Sequence, residues 1–121
     1  ITFSEHIPNR EERLEQMASR GELRVAYFEV SAYTNAPEEC GRDYDDPNFG
    51  LTSSGKQVAV GMVAAGRAFK IGTRMYIEGI GYVTVEDRGG YITNERLDVY
   101  VETKEEAFKI GRKDRKVYIF D

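Results

Sequence analysis

A chain of 121 residues, 40% hydrophobic and 31% charged, is one domain by size and long enough to bury a real core. A net charge of −4, with 17 basic and 21 acidic side chains and no lysine or arginine stripe, argues against nucleic-acid binding. No apolar run of about 18 residues is present to span a membrane, and the single cysteine, Cys40, has no partner within the chain for a disulfide.

The chain opens Ile1-Thr2-Phe3 without an apolar signal segment, which reads as a fragment of a longer protein. Residues 1–22 are expected to form a helical linker, and residues 23–121 the domain proper. Asn9 is a candidate N-cap with Glu12 at the third helical position, and Gly21 is the natural stop. Leu14, Met17 and Ala18 give this charged helix a narrow apolar stripe. His6 reads as a solvated bystander in the lead-in segment.

Leu23 to Tyr33 is the first clear strand, with Ala26, Phe28, Val30 and Ala32 on one face. Its other face, with Glu29, Ser31 and Tyr33, is partly polar. Residues 34–50 form a long loop whose Asp43, Asp45 and Asp46 lack calcium-loop spacing, so no metal is expected. Thr52-Ser53-Ser54-Gly55-Lys56 lacks the glycine spacing of a phosphate loop, which sets a nucleotide aside. Val58 to Ala65 is a buried strand or short helix. Arg74 to Ile77 and Gly81 to Asp87 make a hairpin around residues 78–81. Thr103-Lys104-Glu105-Glu106 is a capping box that opens a short helix ending near Gly111, and Arg115 to Phe120 closes the sheet. Strands with one internal helix and long crossing loops suit a small closed β-barrel.

The stretch from Tyr82 to Val101 organises the rest. It reads as two strands, each bearing one aspartate, Asp87 and Asp98, eleven positions apart. Strict alternation puts Val83, Val85 and Asp87 on one face, and sets Asp98 and Tyr100 opposite Leu97, Val99 and Val101. Two carboxylates at one groove suit glycosidic-bond cleavage, since protonating the leaving group needs an acid. An aspartate at its ordinary pKa of about 3.9 is a poor acid at neutral pH, so burial or a second carboxylate must raise it. Both residues also fit the plainer role of strand-end aspartates that satisfy backbone groups.

Asp87-Arg-Gly-Gly-Tyr-Ile92, Asn94 and Arg96-Leu-Asp-Val-Tyr100 resemble the signature of the three-aspartate (3D) domains, relatives of the catalytic domain of membrane-bound lytic transglycosylase A. Ser31-Ala-Tyr-Thr34, Gly50-Leu-Thr-Ser-Ser-Gly-Lys56, Gly72-Thr-Arg-Met-Tyr-Ile77, Gly79-Ile-Gly-Tyr82 and Lys116-Val-Tyr-Ile119 follow in the family's order, covering roughly residues 24–120. The resemblance implies a mainly β fold, a six-stranded double-psi β-barrel. It also implies a lytic transglycosylase acting on the MurNAc–GlcNAc β-1,4 bond of peptidoglycan, with 1,6-anhydro products. Asp98 matches the family's catalytic acid, and Asp87 would hold up its pKa and stabilise the positive sugar ring. Thr52, beside the sugar groove, is a hydrogen-bonding candidate. Gly89 and Gly90 would admit sugar close to the backbone or simply form a tight turn. Tyr33 and Tyr100 would pack against sugar rings or in the core.

One departure stands out. The segment Val63 to Thr73, where the family usually carries its first aspartate, contains no acid, and Glu86 is a candidate substitute. The resemblance therefore leaves a non-catalytic glycan-binding, wall-targeting module as the alternative, and a plain interaction domain as a third reading. No cofactor is implied. The expected partner is the peptidoglycan glycan strand, the expected location extracellular or wall-associated, and the isolated domain is expected to be a monomer.

Overall fold

The computed structural model describes residues 7–34, 50–88 and 94–120. His6, Cys40, Asp43, Asp45, Asp46, Gly89 and Gly90 lie outside the described residues. Helix α1 (Arg10–Ser19) is followed by strands β1 (Arg24–Tyr33), β2 (Met62–Ala64), β3 (Arg74–Ile77), β4 (Gly81–Asp87) and β5 (Arg96–Tyr100). Helix α2 (Lys104–Ile110) and strand β6 (Lys113–Phe120) complete the order. Of the ambiguous stretch from Val58 to Ala65, only Met62–Ala64 is strand.

The caps form as the sequence predicts. Asn9 Oδ1 accepts from the Glu12 amide at 2.9 Å, and Thr103 Oγ1 accepts from the Glu106 amide at 3.2 Å. Gly111, at φ 61°, ends α2. Gly79, at φ 82°, turns the β3–β4 hairpin where a Cβ would lie 2.6 Å from Arg115 Nη1. The Arg115 guanidinium uses that space to donate to the carbonyls of Glu78 and Ile110.

The six strands close into a barrel in the order β1-β5-β2-β4-β3-β6. Its pairs β1·β5 and β2·β4 are parallel and the other four antiparallel. Exchanging β1, β2 and β3 for β4, β5 and β6 maps this order onto itself, parallel pairs included. The chain is thus a topological repeat that its sequence does not display, and the topology is that of a double-psi barrel. Every one of the six ladders joins a strand of the first three to a strand of the last three.

Alternation fills the interior. Phe28 and Val30 from β1, Val63 from β2, Val85 from β4 and Leu97 and Val99 from β5 all point into one cluster with Met75, Ile77, Val117 and Ile119. A second cluster lies on the outer wall, where Leu14 of α1, only 3% exposed, packs with Leu23, Tyr76 and Tyr118. Two phenols tie the helix down. Tyr76 donates to Glu11 Oε1 at 2.8 Å and Tyr118 donates to Glu15 Oε1 at 2.7 Å.

The Tyr76 hydrogen bond, helped by a backbone amide, holds the Glu11 carboxyl below its ordinary pKa. A depressed carboxylate stabilises the fold above its unfolded pKa, and that contribution disappears as pH falls through the folded one. Acidification below about pH 4.5 is therefore expected to loosen α1, and Tyr76→Phe should flatten that part of the pH dependence. Unfolding midpoints of both proteins, measured at neutral and acid pH, check it.

Candidate functional site

The site is a row of residues across the outer wall. Ala64, on the short strand β2, is the register partner of Asp98 on antiparallel β5 and of Asp87 on parallel β4. Asp98 is in turn the partner of Ser31 on β1. Registered residues on adjacent strands share a face. Because Val30, Val63, Leu97 and Val99 point inward, Ser31, Ala64 and Asp98 point outward. Two steps of about 4.8 Å put the Cα atoms of Asp87 and Asp98 about 10 Å apart, with Ala64 between them.

Asp87 reaches this row through a bulge. Val63 pairs with Val85 but Ala64 pairs with Asp87, so Glu86 is an extra residue on β4. The extra residue reverses the alternation. Contrary to strict period-two reading, Asp87 does not share a face with Val83 and Val85; it is turned outward beside Ala64. Glu86, 5% exposed, is instead held by Lys56 Nζ at 2.8 Å.

Asp87 accepts from four donors. Its Oδ1 accepts from the Ser53 amide and the Ser53 hydroxyl, both at 3.0 Å, and from the Arg88 amide at 2.8 Å. Its Oδ2 accepts from the Tyr33 phenol at 3.3 Å. Asp98 Oδ1 accepts from the Ser31 hydroxyl at 3.1 Å. Tyr33 feels the charge of both acids. Burial pushes its phenol well above the ordinary value, followed by the charge and hydrogen bond of Asp87 and then the charge of Asp98. At neutral pH Tyr33 is thus held as an O–H donor. Its ring meets Tyr100 edge-on with centroids 5.6 Å apart. Burial first, then Glu102 and Glu106, raises Tyr100 as well.

The structure therefore brings Asp87, Asp98, Tyr33 and Tyr100 together. Thr52 lies one residue from the contact: it is buried, with its hydroxyl on Ser54 Oγ at 2.8 Å and the Lys56 carbonyl at 3.0 Å, while Ser53 meets Asp87. Glu86 faces the loop that holds Ser53, not the row. Sequence reasoning missed three contributors. Ser31 had a signal, its place on the polar face of β1 with Tyr33. Ser53 had none, since a loop 34 residues away supplies it. Arg88 donates from Nη1 to the Ala65 carbonyl at 3.3 Å and from Nη2 to the Phe69 carbonyl at 2.5 Å. It binds the segment that lacks an acid to the end of β4. Asn94 accepts from the Ala68 amide at 3.0 Å and anchors the same segment.

A closed double-psi barrel with two aspartates set across one short strand defines the class. Residues 62–121, from β2 to the end of the chain, match the family model described as the 3D domain. Among solved structures, the crystal structure of MltA from E. coli is similar at 18% identity, with a TM-score of 0.49. That match covers 59% of this chain and only 27% of MltA. No curated protein matches the chain.

Proposed function

We propose that this domain is a lytic transglycosylase of peptidoglycan, acting outside the cell membrane at the wall. The observation that carries the reading is the pair Asp87 and Asp98 on one outward face, with only Ala64 between them. The two acids have different surroundings, which suits a division of roles. Four donors on Asp87 hold its carboxylate, and the charge it carries, in one orientation. That charge would stabilise the positive ring as the glycosidic bond lengthens. Asp98 would protonate the bridging oxygen between MurNAc and GlcNAc. It would then take the proton from the C6 hydroxyl of the same MurNAc as that oxygen closes on the anomeric carbon. The proton given up in the first step returns in the second, and no water is consumed. Tyr33 and Tyr100 would offer ring faces and edges to the sugars.

A specific observation favours a second reading, a glycan-binding module without turnover: the segment Val63 to Thr73 holds no acid. A digest of purified peptidoglycan, with soluble products read by mass, separates the two. Anhydro-muropeptides are expected. Products with a reducing MurNAc end would mean hydrolysis and overturn the mechanism. Co-sedimentation with the wall without release would establish the binding module.

Ser53 is expected to matter through Asp87. Ser53→Ala removes the hydroxyl that Asp87 Oδ1 and the Arg88 amide share, and should lower the rate of anhydro-product release about tenfold, with Ser53→Thr recovering most of it. Initial rates of the three proteins on one peptidoglycan preparation test this.

A further inference from the structure

The row of outward residues continues past Asp98 and Ser31. The antiparallel β1–β6 ladder ends with Val30 opposite Lys113, so Arg112 is next in line beside Ser31. Beyond them a cavity of about 400 Å³ opens between β1 and α2, with Ser31, Lys104, Ala107, Phe108 and Arg112 in its wall. Ser31 is thus shared between this cavity and the Asp98 hydrogen bond. The chain as a whole is acidic, at −4, yet this wall contains two cations and no carboxylate. Phe108 is 85% exposed there, more than any other large apolar residue described. Arg112 reaches Glu29 only at 3.6 Å, between side chains well exposed to solvent, a pairing of little strength that leaves most of its five donors for other acceptors.

We propose that this cavity is a subsite for the peptide substituent of the glycan strand. A peptide carboxylate is held by Arg112 and Lys104, and small apolar side chains lie against Ala107 and Phe108. The inference rests on the reading of the domain as one that acts on peptidoglycan, and it adds what that site selects: strands that still carry peptides. Charge complementarity supports this occupant, and so does continuity with Asp98, about two strand spacings from Arg112 along the row. With its lactyl groups amidated, the sugar backbone of an intact strand is neutral and would make little use of two cations, whereas a peptide carboxylate takes a forked guanidinium in two parallel bonds.

The test compares two forms of one glycan preparation, strands with intact peptides and strands stripped of them by an amidase, with the freed lactyl carboxylates then capped as amides. Binding is measured by co-sedimentation in the cold for the native protein, for Lys104→Gln/Arg112→Gln and for Phe108→Ala. The native protein is expected to bind intact strands roughly tenfold more tightly than stripped ones. Both variants should bind stripped strands as the native protein does and lose most of the preference. All three side chains are solvent-facing, and unchanged circular dichroism and melting would verify that the variants fold. Equal binding of intact and stripped strands by the native protein would overturn the subsite and leave the functional reading standing. Variants weakened equally on both substrates would overturn it too. No binding of either substrate by the native protein would overturn the functional reading and the subsite with it.

Discussion

Asp98→Asn is expected to abolish release of anhydro-muropeptides, lowering the rate by about 10²–10⁴-fold while leaving the fold intact. Asparagine keeps the size of the side chain and can still accept from the Ser31 hydroxyl, so the row across the wall should persist. What it loses is a transferable proton. Asp98 is half-buried on an outward face, outside the barrel core. Binding of peptidoglycan by the variant should therefore survive, and a co-sedimentation assay beside the digest checks both halves of the expectation. A variant that released product at the native rate would remove Asp98 from the chemistry.

The second large effect is expected one residue earlier, on stability. Leu97 is 0% exposed and lies in the barrel interior with Val30, Val63 and Val85. Leu97→Ala removes buried methyl groups and leaves a cavity that closed ladders on both sides of β5 cannot collapse to fill. A cost of about 2–5 kcal/mol is expected, against a total stability of about 5–15 kcal/mol for a domain of this kind. Denaturant unfolding, with the midpoint moving and the slope unchanged, reads it directly. Together the two substitutions separate the faces of one strand: Leu97 holds the barrel closed, and Asp98 does chemistry on its outside. An Asp98→Asn protein that unfolds like Leu97→Ala would contradict that division.

The outward placement of Asp98 was legible in the sequence, because Leu97, Val99 and Val101 alternate around it without interruption. The placement of Asp87 was not. The same alternation, carried along β4, points it into the core, and only the pairing with β2 reveals that Glu86 is extra. A bulge is a property of two strands, and no one-strand pattern contains it. The same limit applies to Ser53, whose partner lies 34 residues away, and to the tyrosines 76 and 118 that cover Leu14 from across the chain. Capping boxes and the β3–β4 hairpin, by contrast, were readable, because each is decided within a few residues. Composition and order pointed to a closed barrel, but the six-stranded double-psi topology came from the family motifs.

Interleaving the first three strands with the last three has a consequence for how the protein comes into being. When β1, β2 and β3 have left the ribosome, none of them has a neighbour to bond with, since every ladder needs a strand not yet made. Both neighbours of β1 are β5 and β6, so its backbone stays open until nearly the whole chain is out. Folding therefore waits for the last strands and is dominated by distant pairings, which makes it slow for its size. The reverse also follows. A chain nicked at the β3–β4 turn would be two pieces joined by all six ladders, each piece unable to stand alone and the pair still able to close.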